Sequence, residues 1–308
     1  MTNGATGDAR LSKNQRRDAA RDKARILREQ QKKKDRRGRF ALQGGIILGS
    51  LAVIAVVALI IVNSIRPPGP GPLNMLSDGI TVGTNFEAVK TAALAAGKKP
   101  VATKPAADSK AIVIQLFVDY MCPVCGAFEK ANSEQITTLV KQGAATIEIH
   151  PVAILDNASV GSRYSTRAAN AAACVANFSP NQFYDFSALL FSKQPKEQTA
   201  GLTNAQLTSL TVDAKVKQPA KVASCISDET FKTWTADVTT RAVSNPKLLS
   251  AQGQFGTPTV LVNGSKYAGS ISDPTAFAQF IASVAGASFT DPATPAPAPA
   301  PAPSPATE

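Results

Sequence analysis

Apolar residues fall along this chain in three patterns. The first is unbroken: residues 40–62, FALQGGIILGSLAVIAVVALIIV, contain no charge over 23 positions. A helix of that length spans roughly 30 Å of hydrocarbon. The second pattern is short and rich in β-branched residues. Residues 111–118 (AIVIQLFV) read as a buried parallel strand, and residues 146–152 read as another. Residues 258–262 form a third apolar run, which enters an Asn263-Gly264 hairpin turn and returns over 265–269. The third pattern has helical spacing. Phe128, Ile136, Leu139 and Val140 mark a helix over 123–142, and Phe277, Phe280, Ile281 and Val284 mark one over 274–284. Between these groups the periodicity predicts helices over 162–177, 182–192, 204–215 and 229–242, with few strand signals. The pattern predicts an α/β domain in two parts, 78–155 and 252–287, split by a helical insertion over 156–251. A short strand is expected within 78–83.

Charge changes the picture at one end only. Residues 1–39 carry fourteen Lys/Arg and five Asp/Glu, a net +9, which leaves +2 of the chain's +11 for everything else. A nucleic-acid arm is one reading of such a tail. A basic flank on anionic headgroups is preferred, because the apolar run follows directly, so no nucleic acid is expected as a partner. A signal peptide has a short basic region, an apolar core of about 7–15 residues and a small-residue cleavage site. Here both regions are longer, and Asn63-Ser64-Ile65-Arg66-Pro67 offers no good site. The segment therefore reads as an uncleaved signal anchor, a single transmembrane helix over 40–62. The basic tail 1–39 is then cytoplasmic and all that follows is extracytoplasmic. Residues 63–77, with Pro67-Pro68-Gly69-Pro70-Gly71-Pro72, read as a stalk. Residues 288–308 are rich in Ala and Pro, which alternate over 291–308, and read as a disordered or polyproline II tail.

Candidate chemistry lies where the first strand meets its helix, in Met121-Cys122-Pro123-Val124-Cys125-Gly126-Ala127-Phe128-Glu129. Pro123 suits a first helical turn, where its missing N–H is not needed. Cys122 is then expected at the helix N-terminus, exposed, with free N–H groups and the positive end of the helix dipole at its sulfur. That placement favours the thiolate, which is the species that attacks disulfides. Cys125, one turn deeper, is placed to resolve a mixed disulfide. The same spacing also serves half a zinc site or an inert bridge, but the strand before and the helix after favour redox chemistry and no metal. Asp119 either tunes the thiol or ends the strand. His150, the single histidine, reads as structural, and no Ser-His-Asp set can be built around it. Gly44, Gly45 and Gly49 belong to the apolar run and form no phosphate loop.

A strand–CPVC–helix unit, a helical insertion and a distant Phe255-Gly256-Thr257-Pro258 before a strand together resemble the thioredoxin-fold, DsbA-like thiol–disulfide oxidoreductases. The layout is most similar to the membrane-anchored forms of high-GC Gram-positive bacteria. The resemblance covers roughly residues 78–286. It implies a thioredoxin-like domain with an inserted helical domain, and a dithiol oxidase that aids protein folding by introducing disulfides into secreted or cell-envelope proteins. By position, it makes Cys122 the attacking cysteine, Cys125 the resolving one, and Thr257 with Pro258 the substrate-contacting loop, with a cis bond at Pro258. Glu129 matches the buried acid below the active site of DsbA, and a solvated helix residue is its alternative. Cys174 and Cys225, 51 residues apart, would form the structural bridge that similar proteins carry in this region.

The resemblance implies no cofactor. Its partners would be unfolded secreted proteins and a membrane re-oxidising enzyme similar to DsbB or vitamin K epoxide reductase. One departure stands out: DsbA has Pro-His between its cysteines, and this chain has Pro123-Val124. A thioredoxin-like reductase or disulfide isomerase is therefore a second reading. A tethered binding protein on the same scaffold is a third, from a different class.

Overall fold

The computed structural model describes residues 21, 23–34, 50, 53–54, 69–103 and 111–289. The chain divides into two compact units, Met1–Arg66 and Pro67–Glu308. In the first, residues 23–34 are helical within the basic segment. The expected span 40–62 lies outside the described residues except for Ser50, Val53 and Ile54, and the Ala/Pro tail from residue 290 on lies outside them too. Among the described residues no helix is long and apolar enough to cross a membrane.

The second unit is built on a five-stranded sheet of order β1-β3-β2-β4-β5. Its strands are β1 (Ile80–Val82), β2 (Ile112–Val118), β3 (Ala145–Pro151), β4 (Thr259–Val262) and β5 (Ser265–Lys266). β2 is central, parallel to β3 with Leu116 opposite Ile149, and antiparallel to β4 with Leu116 opposite Val260. Leu116 and Val118 on one pleat of β2 and Phe117 on the other are all buried, so both faces need apolar residues and the sequence runs almost without polar breaks. Helix α1 (Pro123–Lys141) connects β2 to β3 and buries Phe128, Ile136 and Val140. Phe128 meets Phe277 of the last helix, α7 (Pro274–Phe289), edge to face at 5.3 Å.

On the other pleat of the sheet lie Gln115, Phe117, Glu148 and His150. Gln115 Nε2 donates to Glu148 Oε2 (2.8 Å), Ser77 Oγ donates to Glu148 Oε1, and His150 stacks on Phe117 at 4.2 Å. Against the upward push of burial, the neighbouring His150, and after it the bonds from Ser77 and Gln115, hold the Glu148 carboxyl at about 2. His150 is thus a buried structural residue, on the pleat that faces away from the two cysteines.

The insertion consists of α2 (Tyr164–Phe178), α3 (Phe183–Ser192), α4 (Asn204–Asp213), α5 (Pro219–Ser227) and α6 (Lys232–Val243). The alanines of α2 are buried on nearly every face, which lets α3, α5 and α6 pack closely around it. Helix α5 was not expected from the periodicity, and the hairpin strand expected over 265–269 shortens to two residues. A disulfide joins Cys174 of α2 to Cys225 of α5, with Cα atoms 5.8 Å apart.

The stalk expected over 63–77 does not extend to residue 77. Gly71 N–H donates to Leu94 O (2.8 Å), Asn74 Nδ2 donates to Ala176 O (2.8 Å), and Met75 is fully buried. A Cβ on Gly71 would come within 2.9 Å of the Trp234 indole. Read as a spacer residue, this glycine is instead what allows the indole so close. Arg241 of α6 grips the Asp78 carboxylate with two bonds, 2.6 and 2.8 Å, and so fastens the insertion to the turn before β1.

Candidate active site

The sequence turns from strand to helix at Cys122, the N-cap residue of α1, whose backbone is still extended (φ −72°, ψ 114°). Pro123 opens the helix. Across from it the 255–258 segment returns to the sheet through a cis Thr257–Pro258 peptide bond. Cys122 Sγ donates to the Thr257 carbonyl at 3.2 Å. This loop leaves Cys122 only 6 % exposed, so the expectation of an open helix N-terminus is corrected: the loop lies over it. Cys125 is 1 % exposed, whereas Pro123 and Val124 face solvent. Both thiols are free.

The two sulfurs sit in opposed environments. Cys122 is pulled down to about 6, first by the Cys125 thiol donating to it, against the upward push of burial. The Thr257 hydroxyl and the N–H groups of Cys125 and Val124 lower it further. Cys125 is pushed well up, first by burial and then by the Cys122 sulfur. Thr257 Oγ1 is buried and has no hydrogen-bond partner other than these two sulfurs. Beneath the pair, Glu129 shares with Cys125 a cavity of about 10 Å³, walled by Leu116, Val118, Tyr184 and Phe191. That is room for about one water. Burial raises the Glu129 carboxyl to about 7.

A family model described as Thioredoxin matches residues 103–282, more than half the chain. The chain belongs to the thioredoxin family. Within the family it is DsbA-like. Oxidised DsbA of Mycobacterium tuberculosis is 32% identical with a TM-score of 0.51, covering 68% of this chain and 93% of that one. The reduced form is 33% identical with a TM-score of 0.50 and the same coverage. The serine/threonine-protein kinase PknE of M. tuberculosis is 31% identical over 153 residues, which is 48% of this chain. That match spans 26% of the kinase, so the chain corresponds to about a quarter of this relative's length.

Two further residues shape the site of this DsbA-like thioredoxin. Asp119, fully buried, accepts Met121 N–H (2.8 Å) and Ser165 Oγ–H (2.7 Å) on one oxygen. Its other oxygen accepts the N–H groups of Ile154 (2.9 Å) and Leu155 (3.0 Å). Burial raises its carboxyl and the four bonds oppose that rise. Asp119 therefore does more than end the strand: it ties the corner before Cys122 to the segment after β3 and to α2. Gln194, just past α3, is the residue that motif reasoning missed. Its Nε2 donates to Tyr120 O (3.1 Å) and Cys122 O (2.9 Å). No signal around position 194 announces this, because its partners are 74 and 72 residues away.

Proposed function

We propose that the chain is an extracytoplasmic dithiol oxidase that introduces disulfides into secreted or cell-envelope proteins through Cys122 and Cys125. The placement of the two thiols carries this reading: Cys122 caps α1 against the Thr257 carbonyl at 3.2 Å, and Cys125 lies buried one turn behind it. In the oxidised protein a substrate thiolate attacks Cys122 Sγ, the Cys122–Cys125 bond breaks, and its electron pair leaves with Cys125. Cys125, the more basic sulfur, takes a proton, which Glu129 can relay across the small cavity. A second substrate thiolate then attacks the substrate sulfur of the mixed disulfide and expels Cys122 as thiolate. Two electrons pass from the substrate dithiol to the cysteine pair, and a substrate disulfide forms. A thiolate stable near pH 6 is a good leaving group, and it stabilises the reduced protein, which makes the disulfide a stronger oxidant. Thr257 and Pro258 line the approach to Cys122, and exposed Val124 offers an apolar contact beside it.

Recharging falls to a membrane enzyme similar to DsbB or vitamin K epoxide reductase, and no cofactor is needed for the exchange itself. One observation favours the reductase or isomerase reading: exposed Val124 donates no side-chain hydrogen bond to the thiolate where DsbA has a histidine. The direction is decided by equilibrating residues 69–289 with glutathione. An oxidase should have a reduction potential well above thioredoxin's value of about −270 mV. A potential near that value would make the protein a reductase. Cys125→Ala should trap substrates as mixed disulfides on Cys122, and adducts forming equally on Cys125 when Cys122 is replaced would reverse the two roles.

A further inference from the structure

Gln194 belongs to the helical insertion, yet its amide rests on the strand-to-helix corner of the thioredoxin domain. Both hydrogens of Nε2 are used on carbonyls, those of Tyr120 and Cys122. That fixes which way the amide faces and turns Oε1 toward α1, where a Cβ on Gly126 would overlap it. The Cys122 carbonyl also accepts Gly126 N–H at 3.2 Å, so it carries two donors. Glycine is the poorest helix former after proline. Its presence at 126, inside α1, is explained by the room this amide requires.

The N–H groups of Val124 and Cys125, which act on the Cys122 sulfur, belong to the turn that Gln194 holds. Carbonyl oxygens carry partial negative charge that repels a nearby thiolate, and each donor offsets part of it; without Gln194, Cys122 O would keep only the Gly126 N–H. We propose that Gln194 is a positioning residue for the Cys122 thiolate: it locks the first turn of α1 with its N–H groups toward the sulfur and pairs the carbonyls beside it. The insertion thereby sets the reactivity of a cysteine it does not contain. This inference rests on Cys122 being the attacking thiol.

Gln194→Met keeps the length of the side chain and removes both donors. In the reduced protein it should shift the pH profile of Cys122 alkylation upward. It should also move the glutathione equilibrium roughly three- to tenfold toward the oxidised form, the range expected for loss of a neutral hydrogen bond. Gly126→Ala reaches the same contact from the other side. It should move the equilibrium in the same direction in the native background and leave it unchanged when combined with Gln194→Met. If Gln194→Met does not fold, Gly126→Ala decides alone. A contact that only holds the fold would lower the melting temperature while the alkylation profile and the glutathione equilibrium stayed at wild-type values, and that result overturns the proposal. If the wild-type protein is alkylated first on Cys125, the assignment of the attacking thiol fails and the role of Gln194 falls with it.

Discussion

Within two turns of α1, three acids meet burial and end in different places. Cys122 has donors enough to lower it, Cys125 has a neighbouring sulfur that adds to burial, and Glu129 has burial alone. Glu129 carries the clearest pH consequence. Its folded value of about 7 lies above the ordinary 4.5, so between those values the unfolded chain releases a proton that the folded protein keeps. Stability from this group is fully present below about 4.5 and is lost as pH rises through 7, by roughly 3 kcal/mol. Glu129→Gln should therefore unfold at higher urea than wild type at pH 8 and at nearly the same urea at pH 4. Equal differences at both pH values would mean that the carboxyl is solvated. The cysteine pair was legible in the sequence because its geometry is local, a strand end, a proline and one helical turn. Asp119 was half legible, since its place before the motif was plain but its four donors come from three separate segments. Gln194 was not legible at all, because the fold alone brings it to Cys122.

At the scale of elements, hydrophobic periodicity located the strands and most helices and missed one short helix. Helix α5 has nine residues and buries only Val222, Cys225 and Ile226, too few repeats to establish a period. It nevertheless carries one end of the disulfide. Cys174 and Cys225 enclose a loop of 51 residues, for which the chain-entropy argument gives about 4 kcal/mol of stabilisation. Replacing both with alanine should lower the urea midpoint by a corresponding amount. The alkylation profile of Cys122 should stay unchanged, because the bridge lies between α2 and α5 and not on the corner that holds the thiol. A loss below about 1 kcal/mol would show that helix packing around α2 already restrains the unfolded chain or outweighs the bridge. The approach of residues 71–77 to the domain escaped the sequence reading for a different reason: proline and glycine signal the absence of regular structure, not the absence of packing.

For the whole molecule, the asymmetry of charge around residues 40–62 is the basis for proposing one uncleaved span with the basic tail inside. Protease added to intact cells with a permeable outer wall should remove the 73–308 region and leave residues 1–39 protected. A mature chain beginning after residue 62, or a protected domain, would overturn that topology. The disulfide within the insertion has a consequence of another order. Four cysteines allow three pairings, and the proposed chemistry needs the one that separates Cys174–Cys225 from Cys122–Cys125. A newly made chain arrives with all four as thiols, so two electrons must be taken from Cys174 and Cys225 before the insertion is complete. The enzyme is then a client of the very reaction proposed for it. If no other oxidant serves, each copy is finished by an older one, and the activity is inherited from existing protein as well as from the gene.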